Sequence, residues 1–377
     1  MSELIDLKHS DKQIKAILVG VNTEYEDEKF DRLMHELKEL AKACELKPVF
    51  TLTQKLPHAE TGTYVGSGKL EEIKNGIEMY DADIVIVNDT LTPMQIRNLE
   101  KFFDAEVIDR TGLILQIFAS RAKTREARLQ VESAQLQYML PRLAHMRNNL
   151  SRQGGGSGRL SNKGSGEKKL ELDRRRIEHR ISELRKELKS IENERNTQRS
   201  KRMYSGIPKV SLVGYTNAGK STMMNTLLKL YGGKEADEKM VFEKDMLFAT
   251  LDTTIRSIEP DGHHPFLLAD TVGFIDDLPH SLVKAFRSTL EEVKYSDLLL
   301  EIIDFSDPDF ENHISVTSKT LQEIGAGEIP IIYVFNKSDK VNEDSENINR
   351  SSVQIPYVRD DRIYMSAKKE IGISELV

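Results

Sequence analysis

Residues 214–221 read Gly214-Tyr215-Thr216-Asn217-Ala218-Gly219-Lys220-Ser221, and this stretch decides the fold of the 377-residue chain. Two glycines separated by four residues and followed by Lys-Ser form the pattern of a phosphate-binding loop. An apolar, strand-like run precedes it at 210–213 and a helical run follows it at 223–228, which is the context that the pattern requires. In such a loop, backbone N–H groups and the helix N-terminus bind phosphate oxygens. The sequence therefore predicts an α/β nucleotide-binding domain with a doubly wound sheet.

Polar side chains in and after this loop indicate a triphosphate and magnesium. Lys220 can reach the terminal phosphates, and Ser221 can offer its hydroxyl to Mg²⁺. Asp270-Thr271-Val272-Gly273 ends a second apolar run, where Asp270 can hold the magnesium shell. Because Gly273 lacks a Cβ, its backbone N–H can come close to a γ-phosphate.

Two later segments indicate the base. Asn336-Lys337-Ser338-Asp339 closes a buried strand-like run, and the Asp339 carboxylate can accept two parallel hydrogen bonds from guanine. Adenine offers no such pair of donors. Ser366-Ala367-Lys368 follows a further run, where a backbone N–H can meet the guanine oxygen, although alone it would more often be a structural turn. The four segments in series predict that the chain binds GTP.

Composition excludes several classes of protein. Cys44 is the single cysteine, so no disulfide framework can form, and a reducing cytoplasm is the expected location. No apolar run approaches the length of a membrane span, and the N-terminus lacks a signal segment. Two or three domains are expected at this length. The acidic body of the chain favours a monomer.

A basic segment interrupts this acidic chain. The net charge is −7 overall, but residues 142–180 carry +7, so the remainder carries −14. A protruding basic element on an acidic body fits a polyanion such as RNA. The alternative is that these charges are only a solvated helix face. We predict RNA contacts for Arg152, Arg159, Lys163, Arg174, Arg175 and Arg176.

The same region has the periodicity of two paired helices. Leucines recur every seven residues at 129–150, and apolar residues resume the spacing at 170–191, which predicts an antiparallel hairpin. Pro141 is expected to kink the first helix or to begin a new one. The tip, at about 151–166, is rich in glycine and serine and is expected to be disordered in the free protein. It lacks aromatic residues that could stack on bases, so it would recognise RNA through its phosphates and its shape more than through its bases.

The N-terminal residues 1–122 form a third predicted domain, a small parallel α/β layer. Strand-like runs alternate with helical stretches, which predicts a parallel sheet covered by helices. The runs lie at 17–19, 49–52, 84–87 and 107–108, and the helical stretches at about 26–45, 69–80 and 93–103. The hairpin then occupies 123–203, and the nucleotide-binding domain occupies 204–377.

The chain resembles the HflX family of ribosome-associated GTPases over nearly its whole length. The most specific matches lie outside the common nucleotide motifs, at 62–69, 109–115, 121–127 and 140–143, and residues 172–176 and 248–252 also match. The resemblance implies GTP hydrolysis with GTP, GDP and Mg²⁺ as ligands. It also implies binding to the large ribosomal subunit, with the hairpin near rRNA of the peptidyl-transferase centre, and splitting or rescue of stalled ribosomes under heat or antibiotic stress. Related proteins continue past the position of Val377, so we expect a shortened chain.

The resemblance also suggests roles for single residues. Thr250 is favoured as the switch threonine that binds Mg²⁺, with Thr253 and Thr254 as alternatives. Asn217 is similar to the asparagine that holds K⁺ in TrmE-like GTPases, where the cation could stabilise phosphate charge. Phe274 stands where many GTPases have the glutamine that orients water. Slow intrinsic hydrolysis, at about 10⁻⁴–10⁻³ s⁻¹, is therefore expected, with stimulation by the ribosome.

The predicted site combines these assignments. The catalytic residues are Lys220, Gly273 and Asn217, and the magnesium ligands are Ser221, Thr250 and Asp270. The nucleotide is predicted to contact Gly214, Tyr215, Thr216, Asn217, Ala218, Gly219, Lys220, Ser221, Thr222, Phe248, Ala249, Thr250, Asp270, Thr271, Val272, Gly273, Asn336, Lys337, Asp339, Ser366, Ala367 and Lys368. The alternatives are a TrmE- or Era-like GTPase of RNA processing or ribosome assembly, and an ATP-driven RNA remodeller. A tRNA-modifying GTPase would need a reactive cysteine, but the single cysteine of this chain, Cys44, lies in a helical run. An ATP-driven enzyme would need a second complete phosphate loop, and the sequence of the N-terminal layer contains none.

Overall fold

The computed structural model describes residues 13–23, 26–152, 163–203, 206–232, 247–248, 250–251, 253–276, 292–341 and 355–377, without the side chains of 144–152, 163–170, 196 and 198–203. Contacts divide the chain into two compact units, Met1–Ser120 with Leu129–Leu188 and Arg121–Arg128 with Lys189–Val377. The three domain boundaries given above stay predictions. Among the described helices, none is long and apolar enough to cross a membrane.

The first unit contains a small α/β layer. Its elements are β1 (Lys15–Asn22), α1 (Asp27–Ala43), β2 (Lys47–Lys55), α2 (Ser67–Tyr80), β3 (Ile84–Val87), α3 (Pro93–Phe103), β4 (Glu106–Asp109) and α4 (Arg110–Arg121). The four strands are parallel and lie in the order β2-β1-β3-β4. All four residues of β3 are buried, as expected for a parallel strand covered on both faces. The predicted parallel layer is confirmed.

Local sequence signals explain where these helices begin. Thr92 caps α3, because its hydroxyl accepts a hydrogen bond from Gln95 N at 3.2 Å while Gln95 Oε1 accepts one from Thr92 N at 2.9 Å. Pro93 follows at the first helical position, where its missing N–H costs nothing. Gly66 is the residue directly before α2, which begins at Ser67.

Two long helices form the predicted hairpin, α5 (Arg125–Arg152) and α6 (Lys163–Met203). Ion pairs show that they run antiparallel. Glu126, near the start of α5, pairs with Arg195 near the end of α6 at 3.1 Å, and Glu132 pairs with Arg180 at 2.7 Å. Leu184 is fully buried along the seam.

The structure decides part of what was expected of the hairpin. Of the two alternatives for Pro141, the start of a new helix is wrong because α5 continues through it, and a kink stays a prediction. Pro141 is exposed, so water can bind the carbonyl that its missing N–H leaves free. The tip predicted at about 151–166 is too long at both ends, because 151–152 belong to α5 and 163–166 belong to α6. Each glycine costs a helix only about 1 kcal/mol, which does not stop a helix of 41 residues from extending through two of them.

One carboxylate joins the small sheet to α5. Asp109 ends β4 and is fully buried. Its Oδ1 accepts hydrogen bonds from Gly112 N at 2.8 Å and the Tyr138 hydroxyl at 2.5 Å, and its Oδ2 accepts them from Leu91 N at 3.1 Å and Arg142 Nη2 at 2.9 Å. The Arg142 guanidinium also stacks 3.4 Å over the Tyr138 ring. We call Asp109, Tyr138 and Arg142 the Asp109 clamp.

The second unit contains the larger sheet. Its elements are β5 (Lys209–Val213), α7 (Lys220–Tyr231), β6 (Thr254–Ile258), β7 (Phe266–Asp270), β8 (Leu298–Asp304), α8 (Phe310–Ile324), β9 (Ile331–Asn336), β10 (Tyr357–Arg359), β11 (Arg362–Tyr364) and α9 (Ile373–Leu376). The strand order is β10-β11-β9-β8-β5-β7-β6, with the edge strands β10 and β6 antiparallel to their neighbours. The chain order reverses at β5, which lies between β8 and β7. Ligands of doubly wound sheets bind at the carboxyl ends of the strands beside such a point.

Candidate functional site

The phosphate-binding loop joins β5 to α7 and requires both of its glycines. Their φ angles are +135° at Gly214 and +100° at Gly219, in the region that side chains disfavour. A Cβ on Gly214 would come closer than 3.0 Å to the carbonyl oxygen of Ile302, and one on Gly219 would come as close to Asn336 Nδ2. The loop therefore packs directly against residues of β8 and β9.

Lys220 begins α7 and turns its ammonium back into this loop. Its Nζ donates hydrogen bonds to the carbonyl oxygens of Gly214 at 3.0 Å and Tyr215 at 2.6 Å. Burial lowers the pKa of Lys220 to about 8, although the nearby Asp270 carboxylate opposes this shift. The site thus contains a buried cation that two loop carbonyls hold in place. The terminal phosphates of a nucleotide can attract it.

Three side-chain oxygens meet beside Lys220. Ser221 Oγ lies 2.8 Å from Thr250 Oγ1, and the two hydroxyls lie 2.9 and 3.2 Å from Asp270 Oδ2. Asp270 is fully buried, and its Oδ1 has no hydrogen-bond partner among the described residues. Burial raises the pKa of Asp270 above its usual value, and Lys220 and the two hydroxyls oppose this shift only in part. Hydroxyls and a carboxylate are the hard oxygen ligands that Mg²⁺ takes, so this cluster fits that ion.

Asn336 ties the base-contacting segments to the phosphate-binding loop. Its Nδ2 donates to the carbonyl oxygen of Ala218 at 3.0 Å, and its Oδ1 accepts from Ala367 N at 2.9 Å. The neighbouring Lys337 Nζ donates to the carbonyl oxygen of Asn217 at 2.8 Å. Three of the four predicted motifs are therefore connected by one pair of residues at the end of β9.

An ionised carboxylate lies at the far end of the site. Asp339 pairs with Lys369, with Nζ 3.2 Å from Oδ2. Burial raises the pKa of Asp339, but hydrogen bonds from Ser366 and Lys369 outweigh it, and the pKa falls below its usual value. Asp339 therefore carries the negative charge that a pair of guanine donors would meet.

These segments enclose an open cavity of ≈ 200 Å³. The predicted residues that line it are Thr216, Asn217, Gly219, Lys220, Ser221, Thr222, Phe248, Thr250, Thr271, Gly273, Asn336, Lys337, Asp339, Ser366 and Lys368. Those that do not line it are Gly214, Tyr215, Ala218, Asp270, Val272 and Ala367, and Ala249 lies outside the described residues. Lys340 also lines the cavity, but the sequence analysis did not assign it to the site. Its position directly after Asp339 could have indicated it.

Two aromatic residues beside the cavity have structural contacts. The Tyr215 ring stacks on His313 with centroids 3.8 Å apart, and its hydroxyl accepts a hydrogen bond from Asp276 N at 2.8 Å. Phe274 is buried, and its carbonyl oxygen accepts a hydrogen bond from Thr216 N at 2.8 Å. A buried phenyl ring cannot orient water, in agreement with the expectation for Phe274.

The basic segment is largely compensated where the structure describes its side chains. Arg142 belongs to the Asp109 clamp and is not available to a partner. The three predicted RNA-binding arginines of α6 pair with acids of the same helix, Arg174 with Glu178 at 2.9 Å, Arg175 with Glu171 at 3.2 Å and Arg176 with Asp173 at 3.4 Å. The side chains of the other three predicted residues, Arg152, Arg159 and Lys163, are outside the described part.

Titration of Lys220 gives a pH prediction. Because the pKa of Lys220 is lowered to about 8, the cation that attracts the phosphates is lost as the pH rises through that value. We expect the affinity for GTP to change little near pH 7 and to fall about fivefold between pH 8 and pH 9. Fluorescent-nucleotide titrations across this range would measure it. An affinity that stays constant to pH 9 would show that Lys220 does not titrate there.

Three features define the class of protein as a phosphate-loop GTPase. They are a buried lysine in a phosphate-binding loop, a cluster of side-chain oxygens that suits Mg²⁺, and a carboxylate at the end of the site where the guanine base would lie. Residues 209–337 match the family model of a 50S ribosome-binding GTPase, and residues 31–119 and 121–202 match models of the N-terminal and middle regions of a GTP-binding GTPase. The chain belongs to the HflX family of GTPases and is a GTP-hydrolysing enzyme.

Similar proteins cover nearly all of the chain. GTPase HflX of Caldanaerobacter subterraneus subsp. tengcongensis is 47% identical over 363 residues, which are 96% of this chain and 79% of the relative. GTPase HflX of Escherichia coli (strain K12) is 41% identical over 351 residues, which are 92% of this chain and 78% of the relative. A crystal structure of the SsGBP and GDP complex is 27% identical, with a TM-score of 0.51 and 96% of both chains covered.

Proposed function

We propose that this GTPase binds the large ribosomal subunit in its GTP-bound form and splits or rescues stalled ribosomes under heat or antibiotic stress. It would act in the cytoplasm, as a monomer. The observation that carries the proposal is the antiparallel pair α5–α6, a basic hairpin in the same chain as a GTPase domain. The description of the matched family as a 50S ribosome-binding GTPase supports the choice of partner.

The exposure of the α6 arginines supports a contact with rRNA. The side chains of Arg174, Arg175 and Arg176 are 45%, 71% and 70% exposed. An exposed ion pair within a helix is worth only about 0.3–0.5 kcal/mol. Phosphate oxygens can therefore replace the acids at little cost, and the arginines would contribute to affinity more than to sequence recognition.

In this proposal, Ser221, Thr250 and Asp270 hold Mg²⁺, and Lys220 and Gly273 bind the terminal phosphate. The ion would neutralise charge on the β- and γ-phosphates. Ser221 lies in the first turn of α7, and Asp270 ends β7. Asp339 would select guanine over adenine.

We also propose that Asn217 helps to hold a K⁺ ion against the phosphates. Asn217 lines the cavity, and its φ of +60° turns the loop at this point. A monovalent cation there would supply the positive charge that an arginine finger gives in other GTPases. We expect modestly faster GTP hydrolysis in potassium than in sodium at equal ionic strength. Equal turnover in the two salts would contradict this role.

Removal of the hairpin tip tests the proposed action on ribosomes. A protein lacking residues 151–166 is expected to lose ribosome splitting, because it lacks the basic residues that would reach rRNA. It is expected to bind GTP as the full chain does, since the nucleotide site lies in the other unit. Splitting would be followed by the ratio of intact ribosomes to free subunits in sucrose gradients.

A matched variant tests whether the charge of the tip or only its length is needed for ribosome splitting. Replacing Arg152, Arg159 and Lys163 with glutamine keeps the tip at full length and removes its charge. Loss of splitting in both proteins would support an rRNA contact. If the protein with the neutral tip still splits ribosomes, the tip acts only as a spacer. If the protein that lacks residues 151–166 also splits ribosomes, the proposal is wrong.

A further inference from the structure

Thr216, in the phosphate-binding loop, carries a hydroxyl that is buried without a partner. The residue is only 6% exposed and lines the nucleotide cavity. Its Oγ1 has no hydrogen-bond partner among the residues that the structure describes. Leaving a buried hydroxyl unpaired costs about 1–3 kcal/mol, so such groups are rare unless something else supplies the partner. In a binding cavity, the missing partner is expected to be the bound substrate or its water.

The position of Thr216 is next to the groups that meet the terminal phosphate. A Cβ built on Gly273 would lie 2.8 Å from both Cα and Cγ2 of Thr216 and 3.0 Å from Lys220 Nζ. The backbone and methyl group of Thr216 therefore lie directly beside Gly273 and the Lys220 ammonium. The hydrogen bond from Thr216 N to the carbonyl oxygen of Phe274 fixes the residue there, at 2.8 Å.

Phe274 cannot supply a polar contact to the attacking water. Phe274 occupies the place of a water-orienting glutamine, and its ring is buried, 2% exposed. A hydroxyl can donate one hydrogen bond and accept two others. A single threonine can thus contact a water molecule and a phosphoryl oxygen at the same time.

We propose that the Thr216 hydroxyl is a catalytic group of GTP hydrolysis, which accepts a hydrogen bond from the attacking water and donates one to a γ-phosphoryl oxygen. In the step, the water oxygen forms a bond to the γ-phosphorus as the bond from that phosphorus to the β–γ bridging oxygen breaks. The electron pair of the broken bond stays on GDP, and the water proton passes to a phosphate oxygen. Thr216 gains and loses no proton. The proposal rests on the assignment of residues 214–221 to the phosphates.

Two substitutions separate this role from packing, because Thr216 also places its methyl group against Gly273. Thr216→Val keeps the shape and removes the hydroxyl, whereas Thr216→Ser keeps the hydroxyl and removes the methyl group. Thr320→Val on α8 makes the same chemical change outside the cavity, where the threonine hydroxyl only bonds the carbonyl oxygen of Val316.

Single-turnover GTP hydrolysis and the affinities for GDP and a non-hydrolysable GTP analogue would be measured for all four proteins. We expect Thr216→Val to lower the rate about 100-fold while both affinities change less than about threefold, because the lost hydrogen bonds act in the transition state. We expect Thr216→Ser to recover most of the rate, and Thr320→Val to match the unmodified protein.

Other outcomes would overturn the proposal. An unchanged rate in Thr216→Val, or a loss in Thr216→Ser as large as that in Thr216→Val, would show that the methyl packing matters and the hydroxyl does not. If the unmodified protein bound neither GDP nor the analogue, the phosphate assignment of the loop would itself be wrong. The two failures can be told apart, because failure of the phosphate assignment abolishes nucleotide binding, whereas failure of the role of Thr216 shows only in the rate of hydrolysis.

Discussion

Replacement of Lys220 with alanine is expected to weaken GTP binding about 100-fold and to lower the rate of hydrolysis by a further 10²–10³-fold. A charge-assisted hydrogen bond to phosphate is worth about 1.5–3 kcal/mol in the bound state. A donor aimed at charge that grows in the transition state is worth more, since the site excludes water. Fluorescent-nucleotide titration and single-turnover hydrolysis would measure the two losses.

The fold is expected to survive this change. The Lys220 ammonium contacts carbonyl oxygens of its own loop, and burial of its charge is itself costly. The control is Lys229→Ala on the same helix, where the side chain is 58% exposed and pairs with Glu370. It should leave nucleotide binding and hydrolysis at the level of the unmodified protein. Comparable losses from the two substitutions would mean that α7, and not the Lys220 ammonium, is responsible.

Replacement of Asp109 with alanine is expected to destabilise the first unit by about 3–5 kcal/mol. The carboxylate is fully buried, and its removal leaves Arg142 without its anion and two backbone N–H groups without acceptors. Arg142 is 24% exposed and can turn to water, which favours the lower end of this range. Amide hydrogen exchange in β1–β4 would measure the free energy of opening of this unit.

An exposed aspartate of the same unit gives the matched control. Asp27 pairs with Lys55 at 2.8 Å, and its side chain is 74% exposed. Asp27→Ala is therefore expected to cost less than about 1 kcal/mol. If Asp109→Ala cost no more than this control, the Asp109 clamp would not hold α5 to the sheet.

The nucleotide-binding unit was predictable because its signals are local. Gly214 and Gly219 have backbone angles or close contacts that only glycine allows, so the pattern marks a specific loop shape. Asp270 and Asn336 end strands that are apolar along their length, which placed both at the same edge of the sheet. Hydrophobic periodicity similarly predicted the strands of the first unit and the pairing of α5 with α6.

Contacts between distant parts of the chain were not predictable in this way. Asp109 and Arg142 were noted only as parts of separate matching stretches, and no spacing rule indicates that they form an ion pair. Composition also misplaced both ends of the hairpin tip, since α5 extends to Arg152 and Lys163 begins α6 in spite of the glycines that follow. The close approach of Gly273 to Thr216 is likewise set by the packing of two loops, which no local pattern predicts.

Sedimentation with purified large ribosomal subunits tests most directly whether the GTP-bound form presents the hairpin to the ribosome. The protein would be mixed with subunits and a non-hydrolysable GTP analogue, GDP, an ATP analogue or no nucleotide, with Lys220→Ala as the matched variant. The proposal predicts capture of the unmodified protein with the GTP analogue alone and little capture of the variant. Equal capture without nucleotide, or with the ATP analogue, would contradict it.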